Sequence, residues 1–107
     1  MANPNKAKGS AFEVAVCAWL RENGFPYAER RVQAGSQDRG DVAGIPGLVL
    51  ELKNHKTMDL SGWMDELRAE KSNARAVTGA VVVKRRSHSV AKSYVVMELE
   101  DFAKLIT

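Results

Sequence analysis

Three ionisable side chains, Asp41, Glu51 and Lys53, punctuate the stretch DVAGIPGLVLELK between residues 41 and 53. In a strand successive side chains alternate faces, so Glu51 and Lys53 point one way while Leu50 and Leu52 point the other. A carboxylate and an ammonium beside a core are costly unless they are paired or bind something, which gives this strand a functional reading. Two carboxylates on adjacent strands can hold Mg²⁺, a hard cation that takes oxygen ligands and keeps several waters for substrate phosphate. Such an ion generates hydroxide and stabilises charge at phosphorus. A lysine on the same face can orient or activate the water and offset developing negative charge. The competing reading makes Glu51 and Lys53 a same-face ion pair on a hairpin and Asp41 a turn residue, since Asp-x9-Glu-x-Lys alone is a loose pattern.

The elements that must position these groups follow from periodicity and turn chemistry. Facing residues of antiparallel strands share a face, so Asp41 joins Glu51 only if the hairpin loop has an odd number of residues, three or five around Ile45, Pro46 and Gly47. Residues 1–9 are polar and small and read as a loose arm. From Ser10 the stripe Phe12, Ala15, Val16, Trp19 and Leu20 predicts a helix, stopped by Asn23-Gly24 and Pro26. Residues 27–32 read as a first strand, and 33–40 as a polar loop. Leu60, Trp63, Met64, Leu67, Ala74 and Val77 mark a second helix, capped by Asp59 or Ser61 and ended by Gly79. Ala80–Val83 reads as a buried central strand. A polar turn, SHSVAK, then leads to a strand at Tyr94–Met97 and a short closing helix carrying Phe102, Leu105 and Ile106. This order implies an α/β sandwich with a mixed sheet.

Glu13 lies one position after Phe12, at the edge of the buried helix face, where it could reach a sheet-borne site. It also fits a capping box with Ser10, and a helix that began nearer Asn5 would remove that alternative. Basic residues form three clusters: Arg30 and Arg31; Lys53, His55 and Lys56; and Lys84, Arg85, Arg86, His88 and Lys92. Phosphate contacts by such groups would dominate affinity for DNA and make it fall with salt. For any single one of them a solvated rim is the favoured reading, whereas for Lys84, Arg85 and Arg86 as a group DNA contact is favoured. Few aromatic residues interleave with them, which favours duplex backbone over base-stacking recognition.

With 107 residues, 45% of them hydrophobic and 27% charged, the chain fits one domain, 1–107, and its net charge is +3. No apolar run approaches a membrane span, and no secretory signal is visible, so a cytoplasmic setting is expected. The single Cys17 excludes an internal disulfide and, with only His55 and His88, a closed zinc site; it reads as a small core residue. There is no Gly-rich phosphate loop and so no expectation of a nucleotide cofactor.

KGSAFE, NGF after the first helix, the Arg-rich strand with its GS loop, and then DVAG and LVLELK together resemble the PD-(D/E)xK nuclease superfamily. Within it they are most similar to the archaeal-type Holliday-junction resolvases, also found in phages. The resemblance covers about residues 6–56, with TGAVVVK similar to a later core strand. It implies a restriction-endonuclease-like three-layer sandwich, a mixed central β-sheet flanked by helices. It further implies Glu13, Asp41 and Glu51 as Mg²⁺ or Mn²⁺ ligands, Lys53 as the catalytic lysine and Ser36 as an accessory active-site residue. A homodimer that nicks a four-way DNA junction in pairs follows, in a bacterial host cell if the chain is phage-encoded. Where the family has Pro-Asp this chain has Gly40-Asp41, and Asp38 is a competing acidic candidate; Asp41 is preferred because an apolar strand follows it directly. The chain is shorter than typical resolvases of this kind. A small phage or repair nuclease acting on flaps or other branched DNA, and a non-catalytic DNA-binding module with the same fold, are the alternatives.

Overall fold

The run Thr78–Val83, in which every residue is buried, forms the strand β4 at the middle of the fold. The computed structural model describes residues 4–32 and 35–107, with side chains from residue 9 onward. In chain order its elements are α1 (Pro4–Glu22), β1 (Glu29–Arg30), β2 (Val42–Ala43), β3 (Leu48–Lys53), α2 (Leu60–Ala74), β4, β5 (Tyr94–Val96) and α3 (Leu99–Ile106), with a 3-10 turn at Val90–Lys92. Beside β4 lie β3, parallel, with Glu51 opposite Val81 and Lys53 opposite Val83, and β5, antiparallel, with Val82 opposite Val95. Parallel neighbours need a crossover, and α2 supplies it. A separate antiparallel pair, β1 with β2, completes the mixed α/β arrangement among the described residues.

Helices cover both faces of the β3-β4-β5 sheet. Phe12, Val16 and Cys17 of α1 pack on Leu50, Leu52, Ala80 and Val82. On the other side Trp63 and Leu67 of α2 pack on Val49, Val81 and Val83. Residues 49, 51 and 53 share a strand face, so Glu51 and Lys53 lie beneath α2 instead of facing open solvent. Burial of Glu51, 8% exposed, follows from that geometry.

Several expectations are corrected. The first helix starts at Pro4, so residues 4–9 are its opening turns and not a loose arm, while residues 1–3 lie outside the described residues. Proline suits a first helical position, where its missing N–H has no partner to lose. The first strand contracts to Glu29–Arg30, because β2 offers it only two partners. The hairpin of β2 with β3 is not a ladder: β2 pairs with β1, and the connection to β3 is the four residues 44–47. Loop parity therefore does not set the site.

Gly79, expected to end α2, lies inside β4, and Val77 is exposed outside the helix. The helix ends instead at Arg75 in the left-handed conformation. A Cβ on Gly79 would stand 2.9 Å from the Lys71 side chain and 3.1 Å from Leu67, so glycine allows α2 to approach the strand. Trp19 is partly exposed rather than a core residue, whereas Trp63 is buried as expected. On α3 the apolar Phe102, Leu105 and Ile106 are exposed, and the buried residue is Asp101. Its carboxylate accepts from Lys71 Nζ at 2.5 Å, from the Gly79 amide at 3.2 Å and from Lys104 at 3.4 Å. Burial alone would raise the Asp101 pKa, but Lys71 and the Gly79 amide outweigh it and hold the group lowered and charged.

Gly44 fixes the turn out of β2. At φ +91° it occupies the left-handed region, and a Cβ would sit 1.9 Å from the Tyr27 carbonyl oxygen. The Gly44→Ala variant is expected to lose about 2 kcal/mol, combining backbone strain with that clash. A urea midpoint equal to wild type would show that the turn relaxes.

Candidate active site

Asp41 stands where the chain passes from one pairing to another. Its amide donates to Leu50 O at 2.8 Å, while its carbonyl accepts from the Arg31 amide at 2.9 Å. Its side-chain Oδ2 accepts from the Leu52 amide at 2.7 Å. Gly40 permits this approach: at φ +92° its Cβ would meet Val49 Cγ1 at 2.7 Å and Leu50 O at 3.0 Å. Proline is locked near φ −65°, so the Gly40-Asp41 of this chain could not be Pro-Asp in the same conformation.

From this bend the Asp41 carboxyl reaches that of Glu51. Glu51 in turn reaches Glu70 of α2, a residue the sequence reading did not single out. Oxygens of Asp38, Glu51 and Glu70 lie within 4.8 Å of one another. Asp38 and Asp41 are thus not rivals, since both border Glu51. The signal for Glu70 was present: it follows Trp63 by seven residues and Leu67 by three, a carboxylate on a buried helix stripe.

Burial raises the pKa of Asp41 to about 7, with the charge of Glu51 adding to it and the Leu52 amide opposing it. Burial likewise raises Glu51 to about 8, helped by its contact with Glu70 and opposed by Lys53. Glu70 is also raised, again chiefly by burial. Among the described residues no donor reaches either oxygen of Glu70 or Oε2 of Glu51. Acceptors facing acceptors need a proton or a cation between them.

Lys53 Nζ lies 3.6 Å from Glu51 Oε1 and 3.0 Å from Glu66 Oε2 of α2, and 5.9 Å from the centre of the Trp63 ring. Burial pushes its pKa down, but the Glu66 hydrogen bond and the charge of Glu51 more than compensate, leaving it raised. It is therefore a fixed ammonium, suited to stabilising negative charge and unsuited to taking a proton.

Glu13 lies beside this group without joining it. Arg30 Nε and Nη2 donate to its Oε2 at 3.0 and 2.9 Å, and Arg30 also reaches Ser10 Oγ at 3.3 Å. Since α1 begins at Pro4, Ser10 is a mid-helix residue, and the capping box is excluded. Ser36 is exposed in the loop ahead of Asp41, with nothing among the described residues that ties it to the carboxylates.

The expected basic clusters divide. Arg30 is engaged by Glu13, and Arg31 is half-buried with its Nε unpartnered among the described residues. Lys92 lies apart, in the 3-10 turn, and most of the others meet where β3 and β4 end: the Lys84 amide donates to Lys53 O at 3.0 Å. There His55, Lys56, Lys84, Arg85, Arg86 and His88 border an open basin of about 320 Å³. The His55 ring lies 5.4 Å from that of Trp63, tilted by 60°, and Arg85 lies 4.7 Å from the Tyr94 ring centre. Lysine and arginine around a concave floor can take phosphate oxygens.

Comparison with known protein families, characterised proteins and solved structures finds no match. No described helix is long and apolar enough to cross a membrane.

Proposed function

We propose that this chain is a metal-dependent endodeoxyribonuclease that cleaves branched DNA, with Holliday-junction resolution by a homodimer as the reaction its sequence resemblance favours. The reading takes the helix-flanked sheet as a restriction-endonuclease-like three-layer sandwich. One observation carries it: Glu51 is buried against Asp41 and Lys53 at a strand end that continues directly into the basic basin.

The residues fit Mg²⁺ or Mn²⁺, because the donors are all oxygens and Glu51 Oε2 is buried without a hydrogen-bond donor among the described residues. Asp41 and Glu51 would hold the ion. Glu13, implied as a third ligand by the resemblance, is held by Arg30 and acts on Asp41 through its charge. When bound, the ion supplies Lewis-acid stabilisation of the phosphate and a lowered pKa for water. The chain's own groups do the rest. Leu52 N–H fixes the orientation of Asp41. Lys53, held between Glu51 and Glu66, places a permanent positive charge where the phosphorane charge develops. The basin seats the neighbouring backbone. Hydrolysis adds one water oxygen to phosphorus, breaks one P–O ester bond and leaves the proton on the departing alcohol.

The test is incubation with labelled four-way junction, flap and linear duplex in Mg²⁺. Paired nicks in the junction are expected; cleavage of flaps instead would favour the smaller repair-nuclease reading, and binding without any cleavage would sink the enzyme. Changing Lys84, Arg85 and Arg86 together to alanine is expected to weaken junction binding about tenfold or more at 100 mM salt and to flatten the salt dependence by up to about three phosphate contacts. An unchanged salt slope would remove the basin from the DNA path.

A further inference from the structure

Glu70 is the least explained polar group among the described residues. It is 2% exposed, and neither oxygen meets a donor among the described residues. Its neighbours in the cluster are Glu51, whose Oε2 is equally without a donor, and Asp38 on the loop edge. We propose that Asp38, Glu51 and Glu70 form a divalent-cation position of their own, beside the one between Asp41 and Glu51, so that Glu51 bridges two ions. The inference rests in part on the proposed nuclease reading, with which it shares Glu51, and its own support is the carboxylate geometry.

Three arguments converge. The first is reach: one oxygen of each residue lies within 4.8 Å of the others, so that small side-chain shifts bring all three onto one ion at the roughly 2.0–2.6 Å typical of Mg²⁺ to Ca²⁺. The wider end of that range, that of Ca²⁺, needs the least movement of the side chains. A second argument is placement. Glu51 is in side-chain contact with both Asp41 and Glu70, as a bridging carboxylate must be. The third is charge. Ionised, Asp38, Asp41, Glu51 and Glu70 are opposed directly by Lys53, which is itself shared with Glu66. One dication would leave the cluster negative and repel a phosphodiester, whereas two would leave room for its charge. Asp38 is anchored for the role, since its Oδ1 accepts from the Gly40 amide at 2.8 Å and its carbonyl from Asn73 of α2 at 2.7 Å. The loop is thereby tied to the helix that carries Glu70.

Mn²⁺ binding to the full chain, followed by calorimetry and by the loss of the free-ion paramagnetic resonance signal, tests this directly. Two Mn²⁺ per chain are expected in the wild type and one in Glu70→Gln. The exposed Asp38→Asn substitution, which should leave the fold intact, is expected to weaken the same position at least tenfold. One ion per wild-type chain overturns the proposal, as does an Asp38→Asn protein that binds both ions as tightly as wild type. Junction cleavage measured on the same wild-type preparation separates the two readings. Two ions without cleavage support the cation position and remove the nuclease, while cleavage with a single ion does the reverse.

Discussion

Glutamine in place of Glu51 is expected to make the metal-free protein more stable at pH 8, by about 2 kcal/mol, while lowering cleavage in Mg²⁺ at least about 100-fold. The two effects have one cause. Glu51 is held with a pKa of about 8 against 4.5 for the free side chain, so ionising it in the folded protein is unfavourable. Each unit of such a shift corresponds to about 1.4 kcal/mol, and the neutral amide avoids that cost while still needing partners in a buried place. Its NH₂ finds them, because both Asp41 and Glu70 offer acceptors. The same neutrality removes a metal ligand. The competing view, in which Glu51 and Lys53 are a structural ion pair, predicts the opposite sign for stability: the 3.6 Å pair is broken and Lys53 loses a partner. Urea unfolding in chelator at pH 8 separates the two, and a less stable Glu51→Gln protein would favour the ion pair.

The residues of this site differ in how far sequence reveals them. Strand β3 was readable because LVLELK alternates within an apolar frame, and β4 because a β-branched run of that length has few other uses. What alternation cannot say is which helix will cover the charged face, and that decided the outcome: α2 lies over Glu51 and turns a surface pair into a buried carboxylate group. Glu70 was missed since a glutamate on a helix reads as solvent-facing, although its spacing from Trp63 and Leu67 placed it inward. The register rule for Asp41 failed for another reason. It assumed a two-stranded hairpin, whereas Asp41 bonds to β3 with its amide and to Arg31 beside β1 with its carbonyl. A bend brought the carboxylates together where a ladder was expected.

On α3 the period of Phe102, Leu105 and Ile106 gave the helix but not its orientation. An apolar stripe is normally the buried one, because apolar area leaving water is the main favourable contribution to folding. Here Asp101 faces inward, since its carboxylate satisfies Lys71 and the Gly79 amide at once, and a buried charge with several donors is tolerable where an unpaired one is not. Such an arrangement depends on contacts between residues 30 and 22 positions apart. No local pattern encodes it.

Stability of the metal-free protein is expected to fall as pH rises from about 5 to 8 and to level off above, by about 3 kcal/mol or roughly 15 °C in Tm. The sign follows from the direction of the shifts. Asp41 and Glu51 have folded pKa values of about 7 and 8, above their unfolded values of 3.8 and 4.5, so between those limits the folded state binds more protons than the unfolded one. Stability is then fully present below the unfolded values and is lost as pH climbs through the folded ones. Asp101 works in the other direction, its lowered pKa adding stability above its unfolded value, and that contribution is already complete by pH 5 to 6. A divalent cation replaces the protons that hold the carboxylates together, so saturating Ca²⁺ or Mg²⁺ is expected to flatten the profile and to stabilise most at pH 8, where metal competes least with protons. Thermal unfolding from pH 5 to 9, in chelator and in about 10 mM Ca²⁺, above the roughly 10⁻³ M dissociation constant of weak sites, reads both effects. A chelator profile that rises between pH 5 and 8 would mean that the carboxylates are charged and satisfied in the apo protein, and the case for a cation at Glu51 would go with it.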